Sequence, residues 1–96
     1  MNDYILLMHD DGGAETGAAW AGYFSRLGQS GRFDGGSAIG AGQRYRKAGG
    51  NAEAPLPLTG FIRIRAESLA EAETFLAGNP VYETGGTVEI RELPRD

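Results

Sequence analysis

The chain has no cysteine, one histidine, one tryptophan and four prolines in 96 residues. Without thiols there is no disulfide scaffold, no thiol redox chemistry and no cysteine-built zinc finger. Their absence fits a reducing, cytoplasmic setting. No apolar stretch approaches the roughly 20 residues that a membrane-spanning helix requires. The apolar run from Tyr4 to Met8 follows an acidic start, Met1-Asn2-Asp3, and is too short for the core of a signal peptide. Positive charge is scarce as well. Nine Lys and Arg stand against thirteen Asp and Glu, a net charge of −4. That balance is poorly suited to neutralising phosphates, so neither nucleic acid nor membrane is expected as a partner.

Glycine is abundant, at sixteen residues, but has no G-X-Y period, which excludes a collagen-like chain. The hydrophobic fraction, 41%, is enough for a core. The length fits one domain over residues 1–96. A domain this small, with no disulfide or metal site to reinforce it, is expected to self-associate.

Tyr4-Ile5-Leu6-Leu7-Met8-His9 is apolar on both alternating faces up to His9 and reads as a central strand. From Thr16 the period changes. Trp20, Tyr23, Phe24 and Leu27 stand at i, i+3, i+4 and i+7, one stripe of a helix, with a stop at Ser30-Gly31. Arg32 to Ile39 reads as a second strand, irregular at Gly35-Gly36, with Gln43 to Lys47 as a short return strand. Gly49 to Pro57 is loop-like. In Gly60-Phe61-Ile62-Arg63-Ile64-Arg65 the period is two, placing Ile62 and Ile64 on one face and Phe61, Arg63 and Arg65 on the other. Ser68 and Glu71 form a capping box for a second helix carrying Leu69, Ala72, Phe75 and Leu76, and Gly78-Asn79-Pro80 ends it. Thr87 to Leu93 is the last strand, with Glu89 and Arg91 on one face and Val88 and Ile90 on the other.

This order, βαββαβ, predicts a ferredoxin-like α+β sandwich: a mainly antiparallel sheet with two helices on one face. The other face is then bare. It holds Phe61, Arg63, Arg65, Glu89, Arg91 and one side of the first strand, either Tyr4/Leu6/Met8 or Ile5/Leu7/His9. A solvated face laced with ion pairs is one reading. The other is two sheets closing face to face into a homodimer, with a cavity between them.

Six residues are candidates for chemistry or binding. His9, beside Asp10 and Asp11, could serve as a general base or as a strand-end hydrogen-bonding group. Arg63 and Arg65 could together hold a carboxylate or phosphate, or pair with Glu89 or another acid. Trp20 could cover a ligand or belong to the core, and Phe61 lies on the bare face. Asn79 could hydrogen-bond a ligand or cap a helix. The charged stretch Arg44 to Lys47 suits an edge strand protected against aggregation. There is no Walker loop, dinucleotide fingerprint or Gly-x-Ser-x-Gly elbow, and the lone histidine fits no metal-ligand spacing, so no cofactor or metal is expected.

Three segments in order carry a resemblance to the YCII-related, or DGPF-domain, family. They are Tyr4-Ile5-Leu6-Leu7-Met8-His9-Asp10; the helix with Trp20, Tyr23 and Leu27 followed by Gly31-Arg32; and Leu69, Glu71-Ala72, Asn79-Pro80, Gly85-Gly86 and Val88 to Arg91. The resemblance implies a dimeric α+β barrel. It also implies that the positions of a proposed histidine–aspartate acid–base pair fall on Trp20 and Asn79, so the pair is not retained. The DGPF motif is absent too; Gly49 to Pro57 occupies its region. The expected function is a homodimer binding a small organic molecule between its sheets, an anionic one if the arginine pair is used. The alternative is a structural or protein-interaction module acting through the open face.

Overall fold

The computed structural model describes residues 1–49 and 55–95. Four strands form one antiparallel sheet: β1 (Asn2–His9), β2 (Phe33–Ala38), β3 (Leu58–Ala66) and β4 (Val88–Leu93), in the order β2-β3-β1-β4. With α1 (Gly17–Ser30) and α2 (Leu69–Glu73) between them, this is the ferredoxin-like α+β arrangement. No described helix is long and apolar enough to cross a membrane.

β1 is central, pairing Leu6 with Ile62 of β3 and with Ile90 of β4. Its faces are now distinguished. Tyr4, Leu6 and Met8 are buried, whereas Ile5, Leu7 and His9 are half-buried on the open side. The buried set packs with Ile62 and Ile64 of β3, Tyr23 and Leu27 of α1, and Ala72 of α2 in one cluster. The helices therefore cover a single face. Fully burying a Leu or Ile side chain contributes about 1.5–3 kcal/mol, and Leu6, Ile62 and Ile64 are essentially inaccessible.

Local chemistry sets the helix ends. Thr16 caps α1 by accepting the Ala19 N–H at 3.1 Å, and Gly31, at φ 72°, ends it in the left-handed region. Ser68 accepts the Glu71 N–H at 3.1 Å, as the capping box requires. Glu71 does not close the box. Its Oε1 instead accepts the Glu67 N–H at 3.1 Å and binds Arg32, the residue just before β2.

Three elements depart from the sequence reading. The second helix is five residues long and passes into a 3-10 turn at Thr74–Leu76. A further short helix, α3 (Pro80–Glu83), follows it. Asn79 accepts the Val81 and Tyr82 N–H groups at 3.0 and 3.1 Å and Pro80 takes the first helical position, so the residues that stop one helix start another. Gln43 to Lys47 forms no strand. Of the loop read at Gly49 to Pro57, residues 50–54 lie outside the described residues.

The irregularity in β2 is present. The β2–β3 register shifts between Phe33 and Gly36. A Cβ on Gly36 would stand 2.3 Å from the Phe61 carbonyl oxygen, so no side chain fits there unless the strands move apart.

Candidate functional site

The six singled-out residues fall on two sides of the sheet, and Phe61 of β3 also borders the cavity at Trp20. His9, Phe61, Arg63 and Arg65 lie on the open face of the sheet. Trp20 and Asn79 lie on the helix side.

On the open face, strand register sets three cross-strand rows: Phe61–Leu7–Glu89, Arg63–Ile5–Arg91 and Arg65–Asp3–Leu93. The two arginines are not equivalent. Arg65 is committed to β2, its Nε 3.0 Å from Asp34 and an NH group donating to the Gly31 carbonyl at 2.8 Å. Arg63 is exposed and makes no hydrogen bond or ion pair with a described residue. Glu89 is held by Arg91 at 2.9 Å, and that hydrogen bond keeps its carboxyl below the usual range. His9 Nε2 lies 3.7 Å from Glu89, within ion-pair reach but too far for a hydrogen bond, and that nitrogen is buried with no hydrogen-bond partner among the described residues. No group of three or more potential metal ligands gathers among the described residues.

Asn79 is wholly inaccessible. Beyond capping α3, its amide reaches the Met8 sulfur at 3.6 Å. Nearby, the Tyr23 hydroxyl donates to the Phe75 carbonyl at 2.7 Å, and burial raises its pKa. At this position the cap accounts for the side chain.

Trp20 belongs to a cavity. About 450 Å³ of space lies where α1 meets β2 and β3, lined by Met8, Glu15, Trp20, Phe24, Phe33 and Ile62 together with Gly36 and Gly60. Trp20 and Phe24 stack at 5.4 Å between ring centres, and Phe24 meets Phe33 at 5.6 Å. The indole N–H donates to Glu15 Oε1 at 2.8 Å, which fixes both the ring and the carboxylate. His9 does not line this space. A larger and more open groove, about 620 Å³, runs along β4 between Leu69, Tyr82 and Ile90, and none of the six candidate residues lines it.

Glu15, Phe24, Phe33 and Met8 were not singled out from the sequence. The aromatic stripe reads as core, yet half of it, Trp20 and Phe24, extends past the buried cluster. The available signal was the glycine in the strand opposite, Gly60, which presents no side chain beside Met8 to fill the gap.

The sequence pattern of the YCII-related domain matches residues 3–95. The chain belongs to the YCII-related family. The match spans nearly all of it, in agreement with the resemblance carried by β1, α1 and β4. No curated protein matches by sequence. Among solved structures it is similar to the 5-chloro-2-hydroxyhydroquinone dehydrochlorinase TftG from Burkholderia phenoliruptrix AC1100, in complex with 2,5-dihydroxybenzoquinone. The identity is 15% and the TM-score 0.58, covering 98% of this chain and 95% of that one. At that identity the likeness establishes a shared fold. This YCII-related chain has an indole and a carboxamide at Trp20 and Asn79, two groups that do not exchange protons near neutral pH.

Proposed function

We propose that this YCII-related protein binds a small planar organic molecule in the cavity at Trp20, without the acid–base pair that the family resemblance places at Trp20 and Asn79. The observation that carries this is the cavity itself: about 450 Å³, partly enclosed and lined by the aromatic residues Trp20, Phe24, Phe33 and Phe61, the Met8 thioether, the hydroxyl residues Ser37 and Thr59 and one carboxylate, that of Glu15. A mostly apolar wall with few fixed polar groups is the usual make-up of a small-molecule site. A structural neighbour that holds a small ring compound adds support by analogy. The test is a small-aromatic fragment screen read by the emission of Trp20, the chain's one tryptophan, comparing the protein with Ala38→Leu, which adds bulk on the helix-side face of β2 at the cavity wall. Ring compounds should shift the emission of the first and not of the second. Emission indifferent to every ring compound would sink the proposal.

The homodimer belongs to the same proposal. Ile5, Leu7, Phe61 and Leu93 form a half-buried apolar ridge on the open face. Arg63, which pairs with no described residue, is available to an acid of a second copy, whereas Asp3 and Glu89 on that face are already held by Arg95 and Arg91. Sedimentation equilibrium should give a dimer that Leu7→Asp dissociates. A monomer at high micromolar concentration would instead leave the face to another protein or to solvent.

A further inference from the structure

Beyond the existence of a ligand, the cavity carries information about its charge. We infer that the molecule held at Trp20 is an organic cation: a one- or two-ring aromatic body bearing an ammonium group, with the ammonium at Glu15. The inference rests on the cavity being a ligand site and goes further by naming the ligand class.

Three observations meet at this point. Glu15 is the one ionisable side chain lining the cavity; no Lys, Arg or His lines it. Its carboxylate does not swing freely. Oε1 is pinned by the Trp20 indole N–H at 2.8 Å, and no other hydrogen bond joins Glu15 to a described residue, so Oε2 stays available to a donor. The remaining wall supplies Trp20, Phe24 and Phe33, whose ring faces are the negative ends of their quadrupoles and attract cations. A carboxylate and electron-rich ring faces act in the same direction. An anionic group entering the cavity would meet both and find no counter-charge. The basic residues that suggested an anionic ligand lie on the opposite face, where Arg65 is already bound to Asp34.

The geometry also assigns Trp20 a part. Glu15 is exposed, and an exposed carboxylate on a free side chain gives little directional binding. Held by the indole, it presents a charge-assisted acceptor at a fixed distance from the ring that would lie along the ligand.

The test uses three probes of matched size: phenethylamine, 2-phenylethanol and 3-phenylpropionate. Their affinities are measured by calorimetry on the protein and on Glu15→Gln, a change that keeps a side-chain oxygen for the indole N–H. The amine should bind about tenfold more tightly than the alcohol and the acid most weakly. The amine's advantage should shrink as salt is raised and vanish in Glu15→Gln, with the alcohol unaffected. If the amine and the alcohol bind within twofold of each other, the inference falls while the binding site stands. It falls likewise if the acid binds tightest, or if Glu15→Gln keeps the amine's advantage. Failure of all three to bind overturns the ligand site and the inference together.

Discussion

The Asn79 amide meets the sulfur of Met8 at 3.6 Å, joining the start of α3 to a residue that lines the cavity at Trp20. Asn79 thus does two jobs inside the protein, capping a helix and closing the space behind β1. Replacing it by alanine strips the cap from the Val81 and Tyr82 N–H groups and leaves a void at a fully buried position. Asn79→Ala should cost about 2 kcal/mol, read as a lower urea midpoint. A change within about 0.5 kcal/mol, the scale of ordinary surface substitutions, would mean the cap contributes nothing.

Ile64 and Arg63 are neighbours on β3 and face opposite ways. Ile64 is inaccessible to solvent and Arg63 exposed. Ile64→Ala should therefore lose about 3 kcal/mol, and Arg63→Ala less than about 0.5 kcal/mol. Denaturation of the two variants side by side checks the register of the central sheet.

The Tyr23 hydroxyl is buried and donates to the Phe75 carbonyl. Burial raises its pKa above the ordinary 10.0. An acid whose folded pKa is raised favours the folded state below its unfolded pKa, and that contribution is lost as pH climbs through the folded value. Stability should thus fall on the alkaline side, beyond about pH 10. Tyr23→Phe should cost about 1 kcal/mol at neutral pH and reduce the alkaline loss. Midpoints measured from pH 7 to 11 test both statements.

Asp11 ties the loop after β1 to the start of β4. It accepts the Thr87 hydroxyl at 2.6 Å and the Thr87 N–H at 2.7 Å. The hydroxyl first, then the N–H, hold its carboxyl below the ordinary 3.8. A depressed folded pKa gives stability that is present above the unfolded value and lost as pH falls through the folded one. Asp11→Asn should lower the thermal midpoint at pH 7 and flatten its decline below about pH 4. An acid limb as steep as that of the unaltered chain would refute this role.

How far the sequence carried the reading depends on how strongly each segment contrasts its faces. β3 alternates Ile with Arg, so its orientation could be read directly. β1 is apolar on both sides, and only its pairing with β3 and β4 separates Leu6 from Leu7. α3 was missed because Asn79-Pro80 signals an end as well as a beginning. The capping box was half right: Ser68 caps as expected, while Glu71 is drawn to Arg32, thirty-nine residues away, a partner that local spacing cannot reveal. The cavity was missed for a similar reason. Trp20 and Phe24 look like core until the strands opposite are seen to leave a gap beside them, where Gly60 carries no side chain.

Those strands give the glycines a second meaning. Gly36 and Gly60 form part of the cavity by contributing nothing to it, and a single methyl at Gly36 would collide with the neighbouring strand at 2.3 Å. Gly36 thus keeps β2 close against β3, and Gly60 leaves room beside Met8. One base change at Gly60, where a Cβ would stand 3.2 Å from the Met8 methyl, could narrow the site, whereas enlarging it would mean trimming the aromatic rings themselves. Such a site changes more readily toward smaller guests than toward larger ones.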